Sequence, residues 1–242
     1  MLKTLFNTTL SASLLLISSL ASASLITNGS FEELFFPDKS TTQSVAQNTK
    51  LQAFANKNST WDVFYTLPGW VTTAGNGIEL QKRVVSASAQ GNNHIELDSK
   101  RGGSSNTVMT QTLESLTVGA EYLLEFSYKP RTNTQNDNGI NVFWYDAAID
   151  FDLNMTADLS VDGENKTSPD WQVKSIKLVA QAETMDLSFG AFGKQNSYGG
   201  LLDNVSLVQV SNTTTDIPEP PMLALLLLGF AALVRRHHNK AK

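Results

Sequence analysis

Glu121-Tyr122-Leu123-Leu124-Glu125-Phe126-Ser127-Tyr128 puts Tyr122, Leu124, Phe126 and Tyr128 on one side and Leu123, Glu125 and Ser127 on the other. Side chains alternate across a strand with a period of two, so this run reads as a strand with one face buried. Toward the N-terminus similar short runs follow at Thr107–Leu113, His94–Asp98, Gly77–Gln81 and Trp61–Tyr65, with a turn at Leu67-Pro68-Gly69-Trp70. Toward the C-terminus come Ile140–Tyr145, Asp158–Val161 with its Asp162-Gly163 turn, Trp171–Leu178, Met185–Ala191 and Gly199–Leu207. Leu25-Ile26-Thr27 reads as a short opening strand. Each run is bounded by Gly, Asn, Asp or Pro, the residues that punctuate strands. Within Trp171–Leu178 the apolar phase slips by one residue, which predicts a β-bulge, and Trp171 is expected in the core. Leu34–Thr60 is a polar insertion with a short helix around Val45–Phe54. About ten short strands and no long amphipathic helix predict an all-β sandwich.

The termini read as addresses rather than as fold. Lys3 precedes an apolar stretch centred on Leu14–Ile17, and Ala21-Ser22-Ala23 places small residues where signal peptidase reads. Residues 1–23 are therefore expected to be a signal peptide, leaving a mature domain over 24–211 and a linker over 212–217. Ile217-Pro218-Glu219-Pro220-Pro221 then leads into the apolar run Met222–Val234 and the basic cluster Arg235, Arg236, His237, His238 and Lys240. The run has 13 residues, whereas a spanning helix needs about 20. Its length suits a transient stop in the inner membrane, with the cations on the cytoplasmic side. Residues 218–242 resemble the PEP-CTERM sorting signal of Gram-negative bacteria, carried here by Pro218, Glu219, Pro220, a short hydrophobic helix, Arg235 and Arg236. Pro221 departs from the pattern, where Ser or Thr is usual. The resemblance implies an exosortase-type sorting protease as partner and delivery to the cell surface or extracellular matrix. It also implies an association with exopolysaccharide and biofilm.

The chain has no cysteine and a net charge of −5. Without disulfides, stability in an oxidising compartment must come from a sizeable core or a bound ion. The acidic balance offers no electrostatic footprint for nucleic acid. With His94 the one histidine outside the tail, zinc and cysteine chemistry are excluded.

Three motifs occur together: Asn28-Gly29-Ser30-Phe31-Glu32, Pro68-Gly69-Trp70 and Gly200-Leu201-Leu202-Asp203-Asn204-Val205. Jointly they resemble galactose-binding-like jelly rolls, a superfamily that includes many carbohydrate-binding modules, over roughly Leu25–Val210. The resemblance implies first and last strands side by side around a structural calcium. Glu32 and Asp203 would be its side-chain ligands, with backbone oxygens near Ser30. Calcium takes hard oxygen donors, and its binding would fasten two chain ends.

For sugar recognition the candidates are Trp70 and Tyr145 as aromatic faces and Arg131 as a hydroxyl partner, with Asn138 and Asn141 nearby. Trp144 and Tyr145 point to opposite faces, so one of the two belongs to the core. Asp150-x-Asp152-x-Asn154-x-x-x-Asp158 imitates an EF-hand start, but Met155 and Val161 occupy the positions that need Gly and Glu. A hydrolase would need two flanking carboxylates, for which Glu79, Glu96, Asp98 and Glu125 are available. A Ser-His-Asp arrangement would have to use His94, and no Gly-x-Ser-x-Gly elbow accompanies it. The expectation is a non-catalytic, exported protein that binds exopolysaccharide through a calcium-stabilised jelly roll. A structural or adhesive protein without sugar binding is the alternative, and a polysaccharide hydrolase the third reading.

Overall fold

In a computed structural model of the chain, the alternating run is a strand, Glu121–Lys129, with Tyr122, Leu124, Phe126 and Tyr128 buried between two sheets. The structure describes residues 23–34, 45–99, 106–163 and 170–210, the side chains of 45–49 excepted. In chain order the elements are α1 (Val45–Ala55), β1 (Thr60–Phe64), β2 (Thr66–Leu67), β3 (Trp70–Ala74), β4 (Ile78–Lys82) and β5 (Asn93–Glu96). They continue with β6 (Val108–Leu113), β7 (Glu121–Lys129), β8 (Gly139–Asp146), β9 (Leu159–Val161), β10 (Gln172–Val179), β11 (Met185–Phe192) and β12 (Leu201–Gln209). Sheet A runs β1-β4-β5-β12-β7-β10 and sheet B runs β2-β3-β6-β11-β8-β9. All pairings are antiparallel. This is the predicted all-β jelly-roll sandwich.

The core follows from the alternation. Leu80, Ile95, Phe126 and Leu202 point inward from sheet A, and Met109, Val142, Trp144 and Phe189 from sheet B. Phe189 sits at its centre, 5.2 Å from Phe126 and 6.0 Å from Trp70 between ring centroids. Each such side chain stabilises the fold by about 1.5–3 kcal/mol on burial. The predicted short helix is α1, whose Leu51 and Phe54 join the same core. Trp144 is the inward member of its pair, as alternation requires, and its Nε1 donates to Val179 O at 2.9 Å.

Four expectations are corrected. Trp70 is 2% exposed, packed between Phe31 and Phe189. Its Nε1 donates to Asn28 O at 3.4 Å, so it fixes the N-terminal turn and offers no face to a ligand. Leu25-Ile26-Thr27 forms no regular strand. It runs beside β12 through Leu25 N–H to Leu207 O (2.8 Å) and Val205 N–H to Gly29 O (2.9 Å). The two ends approach so closely that a Cβ at Gly29 would lie 2.0 Å from Val205 O.

The bulge expected in β10 is absent, because β10 pairs with β7 without interruption. Its apolar residues divide between the faces: Leu178 packs inward while Val173 is 68% exposed on this edge strand. The register shift lies instead in β12, between Asp203 and Ser206, beside Asn204 at φ 50°. Trp171 leaves the core for the outer side of sheet A, where it meets His94 edge-on at 5.6 Å and donates to Ala87 O.

The predicted signal peptide, including Ala21, and the linker and sorting tail, including Pro218, Glu219, Pro220, Arg235 and Arg236, lie outside the described residues; Ala23 is the exposed first described residue. Among the described residues no helix is long and apolar enough to cross a membrane.

Phe189→Ala removes the ring between both sheets. It is expected to lower the unfolding free energy by about 3–5 kcal/mol, measured by urea denaturation with an unchanged m-value.

Candidate functional site

The outer face of sheet A carries polar side chains that burial would ordinarily exclude. On β4, Ile78 and Leu80 face the core, so Glu79 and Gln81 face outward; on β5, His94 and Glu96 do the same. Register sets Glu79 opposite Glu96 and Gln81 opposite His94. All four are buried, and Glu96 is 1% exposed. Buried polar groups persist when hydrogen-bonded, and these bond one another. Gln81 Nε2 donates to Glu79 Oε1 at 2.9 Å and to Glu96 Oε2. Gln81 Oε1 lies 3.2 Å from His94 Nε2, and His94 Nδ1 lies 3.1 Å from Ser88 Oγ.

Two loops close over this floor. Arg131 follows β7 and donates from Nη1 to Glu96 Oε1 and to Ser197 O (2.9 Å). Its guanidinium lies 4.8 Å from the centre of the Tyr198 ring, a cation–π geometry. Gly199 N–H donates to Glu96 Oε1 at 2.9 Å. Between these loops and β1 opens a cleft of about 320 Å³, lined by Trp61, Glu79, Gln81, Val84, Val85, Arg131 and Asn196–Tyr198. Trp61 is 43% and Tyr198 49% exposed. A second hollow of about 450 Å³ shares Val84 and Val85 and extends along the β4–β5 loop to Gly91.

The electrostatics follow from burial. Desolvation pushes the Glu96 carboxyl up to about 8, with Arg131 pulling it down and Glu79 raising it further. Burial, helped by Lys129 and Arg131, pushes His94 down to about 4. At neutral pH the floor therefore holds an uncharged imidazole and a carboxyl that resists ionisation.

Of the sequence candidates, Arg131 belongs to this cleft. Tyr145 does not: it faces outward from sheet B but is 9% exposed, packs on Phe151 at 5.9 Å and bonds Ser188 Oγ at 3.0 Å. A closed ring under a second aromatic gives no stacking surface. Trp61 and Tyr198 were missed as aromatic walls. Trp61 sits in an ordinary strand pattern. Tyr198 had a usable signal, an aromatic alone in the polar, Gly-rich run Lys194–Gly200.

Glu32 and Asp203 do come together, both against the β4–β5 loop. Glu32 Oε1 accepts the N–H groups of Asn92 and Asn93, each at 2.6 Å, and Asp203 Oδ2 accepts Gln90 N–H at 2.8 Å. Burial pushes Asp203 up to about 7; backbone N–H groups oppose this and the Glu32 charge adds to it. Asn93 Nδ2 donates to Phe31 O at 3.0 Å, while Asn93 Oδ1 is buried without a hydrogen-bond partner among the described residues. Two carboxylates and one unpaired amide oxygen on adjoining residues are hard donors of the kind calcium takes. Among the described residues no three His, Cys, Asp or Glu side chains converge on one point, so backbone and amide oxygens would have to complete such a site.

A family model described as "Protein of unknown function (DUF642)" matches residues 24–208. The Multifunctional-autoprocessing repeats-in-toxin of Vibrio vulnificus is 28% identical over 139 residues, 57% of this chain and 2% of the toxin. Its Vibrio cholerae counterpart is 27% identical over 137 residues, 57% of this chain and 3% of that protein. The chain thus spans only a few hundredths of these relatives. Similar solved structures include arabinose-bound MgGH51 α-L-arabinofuranosidase, at 12% identity and TM-score 0.45, covering 78% of this chain and 26% of that one. TmCBM61 in complex with β-1,4-galactotriose has 14% identity and TM-score 0.39, covering 78% and 100%. A structure titled "CBM4 structure and function" has 16% identity and TM-score 0.34, covering 76% and 99%.

The raised Glu96 has a sign that can be checked. Its ordinary value is 4.5 and its folded value about 8, so its contribution is full at low pH and is lost as pH rises through that window. His94 acts oppositely, but only between about 4 and 6.5. From about pH 7 to about pH 9 the melting temperature, measured by calorimetry in a chelator, is therefore expected to fall. In Glu96→Gln the fall over that interval is expected to be much smaller, whatever the absolute stability of the variant.

Proposed function

The chain belongs to the DUF642 family, and from that premise we propose that it is a non-catalytic, exported carbohydrate-binding protein whose ligand lies in the cleft on the outer face of sheet A. The observation that carries this reading is one arrangement. Two exposed aromatic rings, Trp61 and Tyr198, stand over a buried floor of carboxylate, amide and guanidinium. A pyranose has an apolar face that suits an aromatic ring and a rim of hydroxyls that suits such a floor. Glu79 and Gln81 supply acceptors, and Arg131 supplies a donor whose direction is fixed by Glu96 and Ser197. Pre-organised polar groups lose little freedom when the ligand arrives.

Two features favour binding over hydrolysis. Glu96 stands opposite Glu79, as a catalytic acid would, but its Oε1 is taken by Arg131 and Gly199 and its Oε2 by Gln81. A general acid must reach the leaving group. Ser88 and His94 are hydrogen-bonded, but the second ring nitrogen of His94 meets the amide of Gln81 and no carboxylate. An imidazolium formed there would lack a counter-charge, and Lys129 and Arg131 oppose it.

Export through the signal peptide, sorting by the PEP-CTERM-like tail and a place at the cell surface or in an exopolysaccharide matrix complete the proposal. They rest on residues 1–23 and 218–242. Structural calcium is the final part of it. Glu32, Asp203 and Asn93 would hold the ion, which would neutralise the two acids that otherwise repel each other. It would thereby fasten the N-terminal segment, β12 and the β4–β5 loop.

In affinity electrophoresis of the full chain through gels containing galactan, xylan, mixed-linkage β-glucan or dextran, at least one polysaccharide is expected to retard migration. Trp61→Ala or Tyr198→Ala should weaken that retardation at least ten-fold, since an aromatic anchor contributes on the order of 2 kcal/mol. Tyr145→Phe should leave it unchanged. No retardation by any bacterial or plant polysaccharide, with the fold intact, would remove the carbohydrate reading.

Calcium at millimolar concentration is expected to raise the melting temperature by several degrees, and Asp203→Asn to abolish the rise. An unchanged melting curve in calcium would refute the ion site and leave the cleft untouched.

A further inference from the structure

The loop that carries Tyr198 is held by a carboxylate that no ligand would touch. Asp98 follows β5 and is buried, at 1% exposure. Its Oδ2 accepts three successive backbone N–H groups, from Asn196 (3.1 Å), Ser197 (2.8 Å) and Tyr198 (3.3 Å). Successive amides turned onto one anion form a nest, which needs alternating right- and left-handed backbone. Ser197 supplies the left-handed residue, at φ 67°. A serine seldom adopts that conformation without support. Three charge-assisted hydrogen bonds are that support.

The other oxygen of Asp98, Oδ1, is buried with no hydrogen-bond partner among the described residues. A buried carboxylate left half-satisfied is a poor device for stability alone. What it does is set the loop. With the nest filled, Ser197 O receives Arg131, Gly199 N–H reaches Glu96, and the Tyr198 ring lies against the guanidinium. The close approach of Gly199 to Asp98 belongs to the same arrangement, since a Cβ there would lie 2.5 Å from Asp98 N.

We propose that Asp98 is a positioning residue of the cleft: its carboxylate fills the Asn196–Tyr198 nest and so fixes the Tyr198 ring as a ready-made wall. This rests on reading the cleft as the carbohydrate site. Asp98 contacts no ligand and acts through Tyr198. Its removal therefore loosens the wall and, with it, the Ser197 contact to Arg131, while the Arg131–Glu96 and Gln81 contacts of the floor do not depend on the loop.

The test is a double-mutant cycle with amide exchange, on the full chain. In the wild type the N–H groups of Asn196, Ser197 and Tyr198 are expected to exchange slowly and as a group. In Asp98→Asn they should speed up by about ten-fold or more, the loss of hydrogen bonds to a charged acceptor, while Leu124 in β7 is unchanged. In gels containing galactan, xylan, mixed-linkage β-glucan or dextran, Asp98→Asn should weaken binding nearly as much as Tyr198→Ala. The double variant should be no weaker than Tyr198→Ala, because both changes remove one wall.

Additive losses would mean that Asp98 supports the fold generally, and would overturn the proposal. Fast exchange of the three amides in the wild type would overturn it without any variant, including the case in which Asp98→Asn fails to fold. A wild-type chain that binds polysaccharide, matched by Asp98→Asn, would overturn the role of Asp98 alone. A wild-type chain that binds none would overturn the reading of the cleft and, with it, this role in binding.

Discussion

One buried carboxylate, that of Glu96, ties the outer face of sheet A together. It meets Gln81 from β4, Arg131 from the segment after β7 and Gly199 from the segment before β12. Those three stretches are far apart in sequence, and Glu96 is the side chain at which they meet. Taking a carboxylate out of water is costly unless its lone pairs are filled and a counter-charge is near, and here both conditions are met. Burial still outweighs these partners, which is why the carboxyl is pushed up to about 8. An apolar cluster of the same volume would hold the strands as well. It would not aim a guanidinium, two acceptors and a tyrosine loop at one cleft.

A second set of carboxylates works at the neighbouring end of the same face. Glu32 and Asp203 collect the backbone N–H groups of the β4–β5 loop, and that loop carries Val84 and Val85 into the cleft wall. Asp98 does the same for the Tyr198 loop. The cleft is thus built from loops, but loops pinned by buried acids standing on or beside strands. In a chain without cysteine, such acids, together with the aromatic core around Phe189, take the part that disulfides take in many exported domains.

The fold was legible because alternation is local: Tyr122, Leu124, Phe126 and Tyr128 announce their own face, and so do Met185, Leu187 and Phe189. That Glu32 and Asp203 lie near one another was expected from the resemblance carried by the two motifs that hold them, and both meet residues 90–93. What could not be read was which aromatic faces outward. Trp70 follows a turn, as a presented ring would, yet the turn folds it inward onto Phe31 and Phe189. Trp171 begins a strand with Val173 and looked like core, but β10 is an edge whose outer side carries both. The phase slip there was real as a pattern and wrong as a bulge, since the off-phase residues Val173 and Val179 simply lie on the exposed outer face of an unbroken strand. Asp98 and the wall at Tyr198 depend on contacts across about a hundred residues, and no periodicity encodes those.

The four tryptophans allow the most direct test of where a ligand sits. In a ¹⁵N–¹H spectrum of the chain, oligosaccharide from the retarding polysaccharide should shift the Trp61 indole signal. The indoles of Trp70 and Trp144, bonded to Asn28 O and Val179 O inside the sandwich, should stay in place. Shifts confined to the Tyr145–Phe151 side of sheet B, with Trp61 unmoved, would contradict a binding cleft on sheet A.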